Sequence, residues 1–448
     1  MGGQRNKKGG RVTPKGCGPA GRMTPGERSG LEAIFARLLR SAPKDLTDDL
    51  PPLGVEVWAS QMWSIWQRCD LVGMDAEAVM GGGLIAYAAE RSTPAALVVL
   101  RSLATVAPEP YGAKARRAAD RMAAAGIAEP SWAEVVGRAT PTEAWLSFDP
   151  VDNDGVSVMV GFDGPAGADT VGVYIDHNLG AIAKNAFAVP AGVDEVLTRL
   201  RANSEFDGID YRPVTLAEAA ARWRTAFAMT DMTCEPPVDE DLHNLRPLVM
   251  ARLSTMPARG TVPEPAEVDE RARERLLAEF LESDESAELW GADDDDETEQ
   301  AVEHLAMQVM TFSLDCVRGT PLRFSPVMAE MFCLDWAPRK IAADEEAFTR
   351  LADVLAAWIR FAGRRRGIPE ESIADVVGVA YGYASEMIEL SQDPTIWGPA
   401  KTMALAIDER GIDITDEAAI ADFIAEVNRN GGLDVLANSL VGTRTQGR

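Results

Sequence analysis

Near Thr142 the apolar periodicity of this chain changes from helical to strand-like, and well before the C-terminus it changes back. That double change constrains the fold more than any motif does. Before it, Leu31, Ile34, Phe35, Leu38 and Leu39 recur at helical spacing, as do Val55, Trp58, Met62, Ile65 and Trp66. Further helices are expected at about 75–91, 94–106, 112–125 and 131–137, punctuated by Pro94, Pro108, Pro110, Gly126 and Pro130. After it, Ala144–Phe148, Ser157–Phe162 and Thr170–Ile175 alternate as strands. Their turns are Asp149–Gly155 and Asp163–Asp169, short enough for an antiparallel meander. A helix at about 193–203 and another capped by Thr215, with Glu218 three residues on, would cover the sheet.

Helical periodicity then returns. Leu276, Leu277, Phe280 and Leu281 make 270–289 an acidic amphipathic helix, and 298–440 reads as helical. The clearest element runs from Asp344 to Arg366, with Phe348, Leu351, Leu355, Trp358 and Ala362 on its buried face. Arg364–Arg366 sit at its negative end, and Gly367 and Pro369 stop it. The last expected helix starts at about Glu417, with Thr415 as its cap. The expected architecture is mainly α with a central α+β domain, a short antiparallel sheet covered by helices, between helical N- and C-terminal domains. Its divisions are a basic disordered tail (1–28), a helical domain (29–141), the α+β domain (142–258), a linker with an acidic helix (259–303) and a second helical domain (304–448).

Charge is sorted along the same line. Residues 1–28 carry seven basic side chains against one acid, and residues 264–303 carry seventeen acids against three arginines, within a chain of net charge −26. The leader is rich in glycine, lacks aromatics and buries too little surface to offset chain entropy. Arg5, Lys7, Lys8, Arg11 and Lys15 make it a candidate tether to nucleic acid or a ribonucleoprotein, by salt-sensitive, sequence-blind contacts. Met23 is an alternative start that would remove most of it. The acidic whole disfavours broad coating of DNA.

Five scattered cysteines without a CxxC point to a reducing cytoplasm rather than a disulfide framework. The longest apolar run, Pro94–Ala107, contains Arg101 and is too short to span a bilayer, so no membrane partner is expected.

Chemistry is sparse. The best candidates are Asp176, His177 and Lys184, just after the third strand, with His177 as general base, Asp176 orienting it and Lys184 holding an anion. Asp-His-Asn-Leu-Gly is equally good turn chemistry, and neighbours on extended backbone face opposite ways, which weighs against direct Asp176–His177 cooperation. Asp149–Gly155 does not keep calcium-loop spacing, since loop position one would fall on Pro150. The histidines His177, His243 and His304 lack zinc spacing, so no metal is expected. Gly81-Gly82-Gly83 has neither a preceding strand nor a P-loop lysine, which leaves tight helix packing and no cofactor. Trp58, Trp63 and Trp66 fit core packing better than base stacking, and Arg339-Lys340 with Arg364–Arg366 is a candidate anion patch.

Two stretches, Val173–Phe187 (VYIDHNLGAIAKNAF) and Phe332–Glu371 (with FCLDWAPRK and LAAWIRFAGRRRGIPEE), resemble segments of a group of uncharacterised proteins from GC-rich bacteria. The resemblance extends from about Ala95 to Asn428. It implies no activity, cofactor or partner, only that the middle and C-terminal regions travel as a unit. The leading expectation is a non-catalytic cytoplasmic interaction or scaffold protein with a protein partner, tethered through its tail. The alternatives are an enzyme with a site near Asp176, His177 and Lys184, and an acidic regulatory partner or nucleic-acid mimic.

Overall fold

The computed structural model describes residues 25–67, 75–203, 208–263, 268–289, 296–316, 320–413, 416–430, 432 and 436. The tail residues Arg5, Lys7, Lys8, Arg11 and Lys15 lie outside them. The N-terminal helices are α1 (Pro25–Asp45), α2 (Pro52–Gln67), α3 (Gly83–Ala89), α4 (Pro94–Val106) and α5 (Tyr111–Ala124). Thr93 caps α4 by accepting from Ala96 N at 3.3 Å, with Pro94 in the first turn, where a missing N–H costs nothing. The helix expected at 131–137 is a single 3-10 turn, Ser131–Glu134, and Gly137 beyond it takes a positive φ of 72°.

The triple glycine is a packing device. Gly81 and Gly82 close a π-helical turn (Glu77–Gly82), and Gly83 opens α3. A Cβ on Gly81 would meet the buried Trp63 ring at 2.6 Å, and one on Gly82 would meet Tyr111 at 2.9 Å. Trp63 and Trp66 are buried, and Trp58 packs against the same core.

The sheet contains β1 (Thr140–Phe148), β2 (Gly155–Gly164), β3 (Gly167–Asp176), β4 (Ile182–Val189) and β5 (Asp210–Val214) in the order β4-β3-β2-β1-β5, every pair antiparallel. It outgrows the three expected strands. β2 and β3 pair up to Gly164 and Gly167, which shortens the expected Asp163–Asp169 turn to Pro165-Ala166. β4 follows the Asp176–Gly180 turn directly, and the exposed edge strand β5 carries Pro213. Helices cover both faces: α6 (Val193–Ala202) on one side, α7 (Leu216–Met232) and α8 (Glu240–Ser254) on the other. Met159 of β2 packs with Val193, Val196 and Leu197 of α6, whereas Trp223 of α7 donates its indole N–H to Val158 O at 3.2 Å. Two-sided cover explains why β2 is buried almost without alternation.

A single buried cluster runs from Phe35 to Met256, straight through the boundary expected at residue 141. The joint between α2 and α8 shows how. Pro247 interrupts α8, and the Ser60 hydroxyl of α2 donates to Asn244 O at 2.7 Å and accepts from Leu248 N at 3.0 Å. These two groups would bond directly in an unbroken helix.

A second core belongs to α9 (Glu270–Leu281), α10 (Asp284–Ala287), α11 (Asp296–Cys316), α12 (Pro326–Met331), a π-helical turn (Phe332–Trp336), α13 (Ala337–Lys340), α14 (Glu345–Arg366), α15 (Glu370–Gly382) and α16 (Ala384–Ser391). The acidic helix expected over 270–289 breaks at Ser283, whose hydroxyl caps α10. α9 inserts Phe280 against Trp358, with ring centroids 5.0 Å apart. Asp293–Asp295 lie outside the described residues. Gly367 ends α14 at a φ of 72°. A small third cluster joins α17 (Pro399–Glu409) and α18 (Glu417–Arg429) through Leu405, Ala406, Phe423 and Val427. Asp416 caps α18, while Thr415 lies outside the described residues. Among the described residues no helix is long and apolar enough to cross a membrane.

Gly81→Ala should destabilise the protein by about 1–3 kcal/mol through overpacking against Trp63. Gly378→Ala, on an exposed face of α15 with open space around its Cα, should instead stabilise it by about 0.5–1 kcal/mol. Thermal unfolding of the two variants beside the parent checks the opposite signs.

Candidate functional site

Asp176, His177 and Lys184 lie where two turns of the sheet meet the C-terminal core. In the β1–β2 turn, the Asp149 carboxylate accepts from Val151 N at 2.7 Å and Asp152 N at 3.1 Å, and Asn153 takes a positive φ of 52°. Asp149 is thus engaged with backbone amides, as in an ordinary Asx turn. In the β3–β4 turn, Asp176 Oδ1 accepts from Asn178 N at 2.9 Å and Leu179 N at 3.2 Å, while Oδ2 accepts from Lys184 Nζ at 2.8 Å. Gly180 and Ala181 complete that turn with positive φ values of 80° and 62°.

His177 stitches the two turns together. Its backbone N–H donates to Asp154 O at 2.8 Å, and its ring Nδ1 lies 3.0 Å from Asn153 O. A carbonyl oxygen only accepts, so Nδ1 carries the proton. Burial, the largest influence, lowers the pKa of the ring and favours its neutral form. No hydrogen bond joins His177 to Asp176 or Lys184, and the general-base arrangement is not assembled.

What these turns hold is an arginine from the other core. Arg323 is buried, and its Nη1 donates to Asp152 O at 2.8 Å and Asp154 Oδ1 at 3.0 Å. Its Nη2 donates to Asn178 Oδ1. The same Asp154 oxygen also accepts from Asn178 Nδ2 at 2.8 Å and Ser325 Oγ at 2.5 Å. Ser325 additionally caps α12. Arg366, at the end of α14, donates to Val151 O at 2.8 Å. Asp154, Asn178, Arg323, Ser325 and Arg366 are therefore the principal residues of this seam, and none was nominated from the sequence for it.

Half-buried Asp152 is pushed up to about 6, first by desolvation and then by the charges of Asp154 and Asp149, against weaker pulls from Arg323 and Arg366. A second buried ionic node stands at the opposite end of β3. Arg252 Nη2 donates to Glu56 at 2.7 Å and to Asp169 at 2.8 Å, and Glu56 also accepts from Gly137 N at 2.7 Å. Two carboxylates share one guanidinium there, and burial raises both, Asp169 to about 6.

The basic clusters do not form one patch. Arg339 pairs with Asp335 within its own helical turn, at 2.9 Å. Arg364 reaches Glu285 at 2.9 Å, Arg365 reaches Glu279, and Arg366 reaches the β1–β2 turn. Among the described residues no group of three or more His, Cys, Asp or Glu side chains is placed to hold a metal ion. Cys333 is buried, and burial pushes its thiol up to about 12, far from a nucleophile. No protein-family model, curated protein or solved structure matches the chain.

Arg323→Ala should lower stability by about 3–5 kcal/mol in urea unfolding, because Asp154 is left without its buried counter-charge. Asp152→Asn should have the opposite sign. A carboxyl raised to about 6 contributes stability below its ordinary value of 3.8 and loses it as the pH rises through 6. The asparagine variant should therefore gain about 1 kcal/mol over the parent at pH 7–8, allowing for solvent screening, and nothing at pH 4. Paired pH–stability curves check both ends.

Proposed function

We propose that this chain works by binding rather than by catalysis, as a cytoplasmic interaction or scaffold protein whose two cores present surfaces to a macromolecular partner. One observation carries the reading: the side chains nominated for chemistry are engaged in holding two turns against Arg323. Asp176 already accepts three donors, and His177 turns its protonated nitrogen to a backbone carbonyl. The nominated general base, His177, needs Asp176 to orient it, and that carboxylate is committed instead to two turn amides and a lysine, while the Nδ1 proton of His177 goes to Asn153 O.

The acidic segment offers less for nucleic-acid mimicry, since α9 buries Leu276, Leu277 and Phe280, and Glu279 and Glu285 answer arginines of α14. The basic leader then supplies the tether, holding a nucleic acid or ribonucleoprotein by charge alone.

Gel shifts and co-sedimentation with duplex DNA and single-stranded RNA, comparing the full chain with a Δ1–28 variant, test this. The full chain should bind at low salt and release steeply as salt rises, with a logarithmic slope no steeper than about −6 for seven cationic side chains. The truncated chain should not bind. Equal behaviour of the two removes the tether, and turnover of a metabolite by the purified chain removes the non-catalytic reading.

A further inference from the structure

Beside the Arg323 seam lies an open cleft of about 460 Å³, between α9, the segment preceding α12 and the last turn of α14. Its size suits a small organic ligand. Four arginines line it from three separate elements: Arg275 from α9, Arg323 from the preceding segment, and Arg365 and Arg366 from α14. Among the described residues Glu279, which pairs with Arg365, is the only lining carboxylate. The remaining wall is largely apolar, with Leu276 and Leu322 prominent.

Glu279 answers Arg365 and Asp154 answers Arg323, which leaves Arg275 and Arg366 without a carboxylate partner among the described residues, an excess of two positive charges in a chain of net charge −26. Arg323 keeps one buried donor unused, since its Nε has no hydrogen-bond partner. Arg275 is exposed and makes no ion pair among the described residues. Burial lowers the pKa of Arg323 and of Arg366, and the Arg323 charge lowers that of Arg366 further. A bound anion would relieve this repulsion.

We propose that this cleft binds a small amphiphilic anion, with a carboxylate, phosphate or sulfonate head among Arg275, Arg365 and Arg366 and an apolar body against Leu276 and Leu322. Planar guanidinium forks suit such oxyanions in two-pronged contacts, and the apolar wall excludes water from the body of the ligand. None of the cleft's lining residues belongs to the basic leader, and the proposal stands or falls independently of the tether.

The probe is 8-anilinonaphthalene-1-sulfonate, titrated by fluorescence into the native full chain. Its uncharged counterpart, N-phenyl-1-naphthylamine, has the same aryl body without the sulfonate. The anion should bind saturably and the neutral compound about tenfold or more weakly, as expected when a charged hydrogen bond is lost. Arg275→Glu should weaken the anion by a similar factor. Its exposed, unpaired side chain makes this variant safe for folding, which circular dichroism verifies. Arg365→Gln should weaken binding too, whereas Arg339→Gln, outside the cleft, should leave it unchanged. No saturable binding, equal binding of the neutral compound, or unchanged affinity in both Arg275→Glu and Arg365→Gln would overturn the proposal.

Discussion

The relation between the two cores rests on burying one guanidinium. Removing Arg323 from water carries a desolvation cost of several kcal/mol, which only a close ring of acceptors offsets. Asp152, Asp154 and Asn178 provide that ring, and all three belong to turns of the sheet, while Arg323 belongs to the other core. A planar donor fork is directional, so displacing one core against the other would break several charge-assisted bonds together. Apolar contact alone would tolerate sliding; the arginine fixes the register in which α12 and α14 meet the β1–β2 and β3–β4 turns.

The buried ion clusters at the two ends of β3 are built differently. Near Asp169 two carboxylates share Arg252, whereas near Asp176 two guanidinium groups, those of Arg323 and Arg366, converge on the β1–β2 turn. The seven residue steps from Asp169 to Asp176 span about 24 Å of strand, beyond the screening length of physiological salt. Each cluster therefore answers to its own surroundings. Each holds a carboxyl raised to about 6, Asp169 in the first and Asp152 in the second.

Much of the architecture was legible in the sequence because it follows from local periodicity. The buried face of α14, its Gly367 stop, the Thr215 cap and the first three strands all rest on residues within a few positions of one another. β5 was missed because a five-residue, exposed edge strand with a proline carries almost no alternation. β4 was hidden by a different cause: the residues after β3 were read for chemistry, and a turn running directly into another strand uses the same Asp, Asn and Gly. The break at Ser283 was invisible because an apolar stripe continues across it, through Leu281 and Leu289. Arg323 could not be found at all. It stands 145 residues from Asn178 and 169 from Asp154, and nothing near it in the chain distinguishes it from the other arginines.

The triple arginine at the end of α14 shows how one local signal can serve several distant ends. A cationic C-terminus complements the helix dipole, which alone justifies Arg364–Arg366 and needs no partner. Successive residues on a helix point about 100° apart, however, so three in a row cannot share a target. Arg364 turns to α10, Arg365 to α9 and Arg366 to the β1–β2 turn. The described part of the acidic segment, α9 and α10, is thereby held against a strongly basic helix end instead of projecting into solvent as its charge alone would suggest. Glu279 and Glu285 are answered inside the molecule, and the cleft between α9 and α14 keeps the cationic excess that remains among the described residues.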